Sequence, residues 1–247
     1  MVIGTNVASL TAQRHLATSR AEMETSMERL SSGKRINSAM DDAAGLALVN
    51  GLDSKITGLN QAVRNANDGI SLIAVAEGAM EEISSMLNRM KELAVQAVND
   101  TYSATDRDSM DIEFQALAVE ITRIADDTDF NGVKVANSAA VLKIQVGDDA
   151  SDTISITPIL MTATTLGVAS SIDLQDDTNA PLAVTAVDTA IAALDTQRGK
   201  LGAVANTLEF TVSNLMSRIE HQSGARSRIE DADFATESAN LAKAQVL

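Results

Sequence analysis

Apolar residues recur every three or four positions from about residue 41 to residue 98, which predicts one long amphipathic helix. The apolar seam of this helix comprises Leu52, Ile56, Leu59, Val63, Ala66, Ile70, Ile73, Ala76, Met80, Ile83, Leu87, Met90 and Ala94. Its spacing is that of a coiled coil, with one extra step of three residues near Ala76 that shifts the phase locally. A continuous helix over this range is roughly 85 Å long, so we expect an elongated rod.

A second, shorter stretch carries the same pattern. Its apolar positions are Met110, Phe114, Leu117, Ile121 and Ile124. Thr105 and Asp108 precede them with the spacing of a capping box, which predicts that a helix begins there.

A third stretch has a leucine at every seventh position, namely Leu194, Leu201, Leu208 and Leu215. Other apolar residues lie three or four positions away, and Arg198 is the one charged residue in this seam. Three such seams can close on one another with both chain ends on one side. We therefore predict a mainly α fold, an elongated antiparallel coiled-coil-like bundle.

Between the second and third seams the apolar period changes to two. The segments LKIQV (142–146) and TISI (153–156) flank Gly147, Asp148 and Asp149, which predicts a β-hairpin. DTDFNG (127–132) is predicted as a loop leading towards it. We expect residues of about 130–180 to form a small cap, too short for a separate enzymatic domain.

The chain ends have weaker helical patterns. Residues 1–30 are rich in small polar residues and alanine with a sparse apolar seam, and residues 223–247 present mainly alanine with Ile229, Phe234, Leu241 and Leu247. We expect marginally stable helices that become ordered on assembly. The predicted regions are residues 1–40 (N-terminal helix and connection), 41–222 (rod) and 223–247 (C-terminal segment).

Composition excludes several classes of protein. With four Phe, one Tyr and no Trp the core must be aliphatic, and without cysteine the chain has no disulfide or thiolate site. Between Asp100 and Asp195 there are 17 acidic residues and 4 basic ones, within a net charge of −15, so we expect neither nucleic acid nor an anionic membrane as partner. No apolar run can cross a bilayer, and residues 1–20 lack the pattern of a cleaved signal peptide.

Candidate enzymatic motifs are incomplete. Gly33 and Lys34 lack the remaining residues of a phosphate loop, and His15 and His221 stand apart from other metal-ligand motifs. Adjacent acids such as those at 126–127 indicate a solvated surface. We expect no catalytic residue, no metal and no cofactor.

Four blocks resemble bacterial flagellin in order and position: IGTNVASLTAQRHL, RLSSGKRINSAMDDAAGLALVNGL, NANDGISLIAVAEGAMEEISSMLNRMKELAVQA and SRIEDADFATESANLAKAQVL. The resemblance covers the chain except about residues 137–180. Flagellins usually continue with further helix where this chain stops at Leu247, so we expect a truncated C-terminus.

The resemblance implies a subunit that polymerises with its copies into the extracellular flagellar filament. It further implies export through the flagellar type III apparatus, an export chaperone on the C-terminal segment, and contacts with filament cap and junction proteins. Two alternatives remain: a hook-filament junction protein, or a surface adhesin or innate-receptor ligand.

The segment 29–52 contains loop formers, including Ser31, Ser32 and Gly33, between two helices. Ser38 and Asp41 repeat the capping-box spacing, and Asp41 and Asp42 place acid where a helix dipole favours it. The resemblance makes this segment the spoke between terminal helices and rod, with subunit contacts. The residues concerned are Lys34, Arg35, Asn37, Asp41 and Asp42. Lys34 and Arg35 either pair with acids of neighbouring subunits or belong to an ordinary solvated loop.

The segment LNRMKELAVQ (87–96) resembles the flagellin motif read by a Toll-like innate immune receptor. The resemblance assigns the contact to Arg89, with Leu93 and Gln96 nearby and Glu113 on the next helix; Lys91 stands where the family commonly has arginine. Leu87, Met90 and Ala94 take the seam of this helix. Arg89, Glu92, Leu93 and Gln96 fall on its other faces, so we expect them to be exposed. The alternative is that Arg89 merely pairs with nearby acids.

Overall fold

The computed structural model describes residues 6–157, 159–169, 172–176 and 178–246. Leu247 and the first residues of the IGTNVASLTAQRHL block lie outside these. The helices are α1 (Val7–Ser32), α2 (Ala43–Ala97), α3 (Ala104–Asp127), α4 (Ala163–Leu166), α5 (Asn179–Glu230) and α6 (Phe234–Val246). The strands are β1 (Asp129–Phe130), β2 (Val133–Lys134), β3 (Asn137–Ser138), β4 (Leu142–Gln145), β5 (Thr153–Ile156) and β6 (Ile159–Leu160).

The chain divides into two compact units. The first unit comprises Met1–Asn60 with Met216–Leu247, and the second comprises Gln61–Leu215. The prediction of a mainly helical chain with long helices and a small hairpin is confirmed. None of the described helices combines the length and hydropathy of a membrane-spanning segment.

The second unit is built around the three apolar seams. α2 contributes to its core the buried side chains of Ala66, Ile73, Ala76, Met80, Ile83, Leu87, Met90 and Ala94. α3 and α5 contribute Met110, Phe114, Ile121, Leu194, Leu201 and Leu208. Leu215, the last leucine of the heptad, is also buried. Aliphatic side chains therefore supply nearly all of this core, as a chain poor in aromatic residues requires.

Two ion pairs show that α2 and α5 run antiparallel in this unit. Arg198 Nη2 lies 2.6 Å from Glu77 Oε1, and Lys91 Nζ lies 2.6 Å from Asp188 Oδ1. A later residue of α2 thus pairs with an earlier residue of α5. The single charge in the α5 seam has its partner on α2, which explains how the seam tolerates Arg198.

The start of α3 differs from the prediction. Ser103 is the N-cap in an extended conformation, its Oγ accepts a hydrogen bond from Asp106 N, and Asp106 Oδ2 accepts one from Ser103 N at 3.0 Å. The predicted box of Thr105 and Asp108 is wrong by two residues, because the helix has already begun at Ala104. Two patterns of the same spacing overlap here, and the one whose first residue is extended forms the cap.

A buried arginine fastens α3 to the end of α2. Arg107 is 8% exposed, and its Nε donates a hydrogen bond to the carbonyl oxygen of Ala97 at 3.0 Å. Ala97 is the last residue of α2, where carbonyl groups lack partners within the helix. The side chain of Arg107 supplies the missing donor.

The predicted β-hairpin of the second unit is confirmed. β4 pairs with β5 in an antiparallel register that places Leu142 opposite Ile156. In the turn, a Cβ atom at Gly147 would lie 2.4 Å from Asp152 Cβ, a clash that rotation of the Asp152 side chain cannot relieve, so this position favours glycine. Residues 137–138 and 159–160 form a further small antiparallel pair, β3 with β6.

The segment DTDFNG is not only a loop, as predicted, but the first part of a second hairpin. Phe130 of β1 pairs with Val133 of β2, and the two residues between them, Asn131 and Gly132, have φ of 52° and 79°. Both angles are those of a tight hairpin turn, for which Asn-Gly is the preferred dipeptide. The sequence signal was present, but strands of two residues are too short to show a period of two.

The first unit contains both terminal helices. Asn6 Oδ1 accepts a hydrogen bond from Ser9 N at 3.1 Å and so caps α1, which extends for 26 residues. α6 extends for 13 residues and packs against α1. The predicted boundary at residues 222 and 223 falls inside α5, which continues to Glu230.

Candidate functional site

The connecting loop, residues 33–42, lies between α1 and α2 and begins at a glycine. Gly33 has φ of 72° and donates its N–H to the carbonyl oxygen of Arg29 at 2.9 Å, which ends α1. Glycine adopts this left-handed conformation without the steric cost of a side chain. Ser31 and Ser32, predicted as loop formers, belong to the last turn of α1 because this cap lies after them.

Backbone bonds tie the connecting loop to the segment after α5. Arg35 N donates to the carbonyl oxygen of Glu230 at 2.6 Å, and Ala232 N donates to that of Gly33 at 3.0 Å. Lys34 and Asp231 form a β-bridge between these two bonds. The loop therefore pairs with a segment about two hundred positions later as a miniature antiparallel sheet.

The basic side chains of this loop bind their own chain. Lys34 Nζ forms an ion pair with Glu230 Oε1, and Arg35 Nη2 donates to the carbonyl oxygen of Ile229 at 2.6 Å. The hydrogen bond to Glu230, followed by charge attraction, raises the pKa of Lys34 above its ordinary value. In this chain Lys34 thus has an acidic partner within the subunit, where the prediction offered an acid of a neighbour or a solvated loop.

Two aspartates organise the end of the connecting loop. Asp41 Oδ2 accepts hydrogen bonds from Ser38 N at 2.8 Å, Ser38 Oγ at 3.0 Å and Asn37 N at 3.1 Å. These bonds, chiefly those from Ser38, lower the pKa of Asp41. The Ser38–Asp41 pair closes a turn before the helix, and Asp42, whose Oδ1 accepts from Gly45 N at 2.9 Å, satisfies a donor at the start of α2.

A polar contact joins α1 to α6. Glu237 is 7% exposed, and its two carboxylate oxygens accept from Ser26 Oγ at 3.2 Å and Arg29 Nη1 at 3.1 Å. Further along, Ser19 Oγ donates to the carbonyl oxygen of Ala244 at 2.9 Å. Beside this contact lies a polar groove of about 460 Å³ between the two helices. Sequence reasoning missed the contact, since serine and arginine three positions apart in α1 gave no sign of a partner 208 residues away.

Three of the four predicted receptor-contact residues are exposed. Arg89 Nε donates to Glu113 Oε1 at 2.8 Å and Arg89 Nη1 donates to Glu92 Oε2 at 2.9 Å, and these bonds, that to Glu113 first, raise the pKa of Arg89. Gln96 is also exposed. We call Arg89, Gln96 and Glu113 the Arg89 patch; it joins α2 to α3.

The predicted exposure of Leu93 is wrong. Its side chain is 2% exposed and belongs to the core of the second unit. α2 packs against both α3 and α5, so its buried face is wider than the two positions per heptad of a simple seam. Leu93 lies on this wider buried face of α2.

The acidic surface shows ordinary pairing rather than a reactive pair. Asp126 accepts a hydrogen bond from Asn137 Nδ2 at 2.6 Å, and Asp127 pairs with Arg123 at 3.0 Å. Among the described residues, the acids close enough together to share a cation are exposed and lie in the turn between β4 and β5: Asp148, Asp149 and Asp152.

Comparison with known proteins gives the same family at both ends of the chain. Residues 3–139 match the model of the bacterial flagellin N-terminal helical region, and residues 184–247 match that of the bacterial flagellin C-terminal helical region. A flagellin of Halalkalibacterium halodurans is 40% identical over 250 residues, covering 100% of this chain and 92% of that protein. A flagellin of Listeria innocua is 36% identical over 263 residues with the same coverage of 100% and 92%.

Solved structures agree with this result. The crystal structure of Bacillus cereus flagellin has a TM-score of 0.55 and 34% identity, covering 62% of this chain and 88% of that chain. A putative flagellar hook-associated protein from Vibrio parahaemolyticus has a TM-score of 0.65 over 77% of this chain and 100% of that chain, but at 13% identity it shows a shared fold alone. With both terminal regions matched and a relative that is 40% identical over 100% of this chain, the chain belongs to the bacterial flagellin family of structural proteins.

Proposed function

We propose that this chain is a structural subunit that polymerises into the bacterial flagellar filament for swimming motility. Family membership supports this function, and one structural observation carries it. The two terminal helices, although packed together, leave large apolar side chains exposed to water at Val7, Leu10, Leu16, Met27, Phe234 and Val246. Such side chains are stabilised when a contact with another copy removes them from water.

The same surfaces account for an open polymer. A contact between two different surfaces of identical subunits repeats without limit when its rotation does not close a ring. In the connecting loop, Lys34 and Arg35 bind the end of α5 in the same subunit and so keep it next to α1. The apolar faces of α1 and α6 remain available for contacts with other subunits. Assembly then depends chiefly on apolar burial.

Filament formation in a cell tests this function. Produced with the C-terminal tail of the host's own flagellin joined after Leu247, as the sole flagellin of a flagellated bacterium, the chain should yield filaments of regular diameter in electron micrographs and restore swimming. A chain with Leu10→Asp and Leu16→Asp should be exported but should not form filaments, because charge replaces the apolar surface of α1. Ser151→Asp, which adds a charge at an exposed turn, is the matched control and should assemble normally. Secretion without filaments, when the tail is present and the rest of the sequence is unchanged, would contradict the proposed function.

Partners and location follow from the same proposal. The subunit is exported without a cleaved signal peptide through the flagellar type III apparatus and resides outside the cell. Phe234, 71% exposed, and Val246 give α6 an apolar surface for an export chaperone, and filament cap and junction proteins contact the assembled ends. Phe234→Asp should lower the affinity of the purified chain for the chaperone.

Two alternatives have less support. A hook-filament junction protein shares the fold, but the structural likeness to a hook-associated protein is at 13% identity, against 40% to a flagellin. Among the described residues, we find no feature that favours a dedicated surface adhesin over a filament subunit of the matched family.

A second candidate function is recognition by a host Toll-like receptor. The observation that favours it is the exposure of the Arg89 patch on two adjacent helices of the second unit. Exposed arginines that can be desolvated by a partner are frequent anchors of interfaces. In the free chain, Glu113 and Glu92 hold the guanidinium of Arg89 in place for such a contact.

A further inference from the structure

We propose that Asn131 is a site of spontaneous deamidation, at which the chain modifies itself and gains a negative charge. Asn131 and Gly132 form the exposed turn between β1 and β2. The backbone geometry of this turn, and its contrast with a second Asn-Gly pair elsewhere in the chain, support this assignment.

The reaction needs only water. The backbone nitrogen of Gly132 attacks Cγ of Asn131, and the proton of that N–H passes to a base in solution. The bond from Cγ to the side-chain nitrogen then breaks, and this nitrogen takes up a proton from water and leaves as ammonia. The product is a five-membered cyclic imide. Water then adds to either of its carbonyl groups and opens the ring to aspartate or to isoaspartate, with no change in oxidation state.

The turn leaves the attacking nitrogen accessible. Gly132 has no side chain to cover its nitrogen, and a Cβ atom built on it meets nothing within 4 Å. Within the described part of the chain, its N–H donates to Asp129 Oδ1, over a long 3.4 Å. The strands on either side are two residues each, so little backbone pairing opposes the rotation that brings nitrogen and Cγ together.

Asn50 and Gly51 provide an internal comparison. They form the same dipeptide, both residues are exposed, and a Cβ atom at Gly51 also meets nothing within 4 Å. They lie, however, inside α2, where the Gly51 N–H belongs to the hydrogen-bond ladder of a 55-residue helix. Attack on the Asn50 side chain therefore requires the helix to open, whereas attack on that of Asn131 requires only a turn to move.

Modification at Asn131 changes the turn itself. A new carboxylate lies two residues after Asp129, so like charges repel in an already acidic region. Isoaspartate also adds a carbon to the main chain of a two-residue turn and disturbs the pairing of Phe130 with Val133. Val135 and Ala136, which follow directly, are fully buried, so we expect the modified chain to unfold at lower temperature.

The experiment follows both sites in one sample. The full folded chain is incubated at mildly alkaline pH and digested, and mass spectrometry measures conversion of amide to acid while isoaspartyl methyltransferase labels isoaspartate. We expect conversion at Asn131 to be at least about tenfold faster than at Asn50, since only the latter requires opening of a long helix. In chain unfolded by urea, the two rates should converge.

Two variants show which asparagine produces the methyltransferase label. Asn131→Gly keeps a residue that tolerates positive φ and should remove most of the methyltransferase label, while Asn50→Gly should leave it nearly unchanged. Equal conversion at the two sites in the folded chain, or faster conversion at Asn50, would overturn the inference. Methyltransferase label that persists in a folded Asn131→Gly chain would also overturn it.

Discussion

Arg29 Nη1 lies 3.1 Å from Glu237 Oε1, a contact that joins α1 to α6 across 208 positions of the chain. The other carboxylate oxygen accepts a hydrogen bond from Ser26 Oγ, so α1 occupies both oxygens of a buried glutamate. Loss of such a partner leaves a desolvated polar group behind, which costs more than the bond itself contributes. The pairing of the terminal helices therefore depends strongly on Glu237.

Glu237→Ala should weaken the pairing of α1 with α6 by about 2–3 kcal/mol, somewhat less than for a fully buried ion pair because the Arg29 side chain keeps part of its exposure. Hydrogen exchange of the α1 amides measures the change. Glu92→Ala removes an exposed acid that also pairs with an arginine, and should leave this exchange unaltered. Equal protection of α1 in both variants would show that the contact does not hold the helices together.

The sequence predicted the apolar seams well because a heptad repeat records burial directly. Leu194, Leu201, Leu208 and Leu215 are all buried. Leu93 shows the limit of the method: a helix packed between two others buries residues beside its seam, and the repeat of one helix does not reveal how many neighbours it has. Exposure of a single position next to a seam could not be predicted without the packing.

Contacts between distant segments were also beyond the sequence. The bridge between Lys34 and Asp231 and the bond from Ser26 to Glu237 depend on the two chain ends meeting, and neither pair carries a local pattern. The turn at Asn131 and Gly132, by contrast, had a clear dipeptide signal. The sequence predicts only a loop at this place, because strands of two residues are too short to show alternation.

Truncation of the heptad leucines tests the core of the second unit. Leu201→Ala and Leu208→Ala should each lower the free energy of unfolding by about 2–5 kcal/mol, because each leaves a cavity at a position that is almost completely buried. Phe210→Ala, at a side chain that is 77% exposed, removes a larger group from the same helix and is the control. Thermal unfolding of all three variants at the parental temperature would contradict the packing of α5.

The cap of α3 distinguishes the observed start of the helix from the predicted one. Ser103→Ala should lower stability by about 1 kcal/mol, since it removes the acceptor for Asp106 N. Thr105→Ala, at the predicted cap, should change stability by less than about 0.5 kcal/mol. Urea unfolding curves give both values. A larger loss from Thr105→Ala would restore the prediction made from the sequence.

The same cap has a defined pH dependence. Hydrogen bonds from Ser103, its side chain first, lower the pKa of Asp106 below the ordinary value of 3.8. The ionised form is therefore favoured in the folded chain, and its stabilising effect is complete above the unfolded pKa and lost as pH falls through the folded one. Asp106→Asn should be less stable than the parent at neutral pH, with the difference shrinking on acidification. A difference that stays constant down to the acid limit would contradict the assignment.

The Arg89 patch makes a prediction that separates recognition from stability. Arg89→Ala should weaken activation of receptor-bearing cells by soluble chain at least about tenfold, the effect of losing an arginine anchor worth roughly 1.4 kcal/mol or more. Thermal unfolding should change little, because its ion pairs with Glu113 and Glu92 are exposed.

Arg123 is a matched control, since this exposed arginine of α3 also pairs with two acids, Glu120 and Asp127. Arg123→Ala should leave activation unchanged. Leu93→Ala should lower the unfolding temperature as the heptad leucines do, because its side chain lies in the core. If Arg89→Ala and Arg123→Ala activate cells equally well, the patch is only a pair of surface ion pairs, and recognition by the receptor must lie elsewhere or be absent.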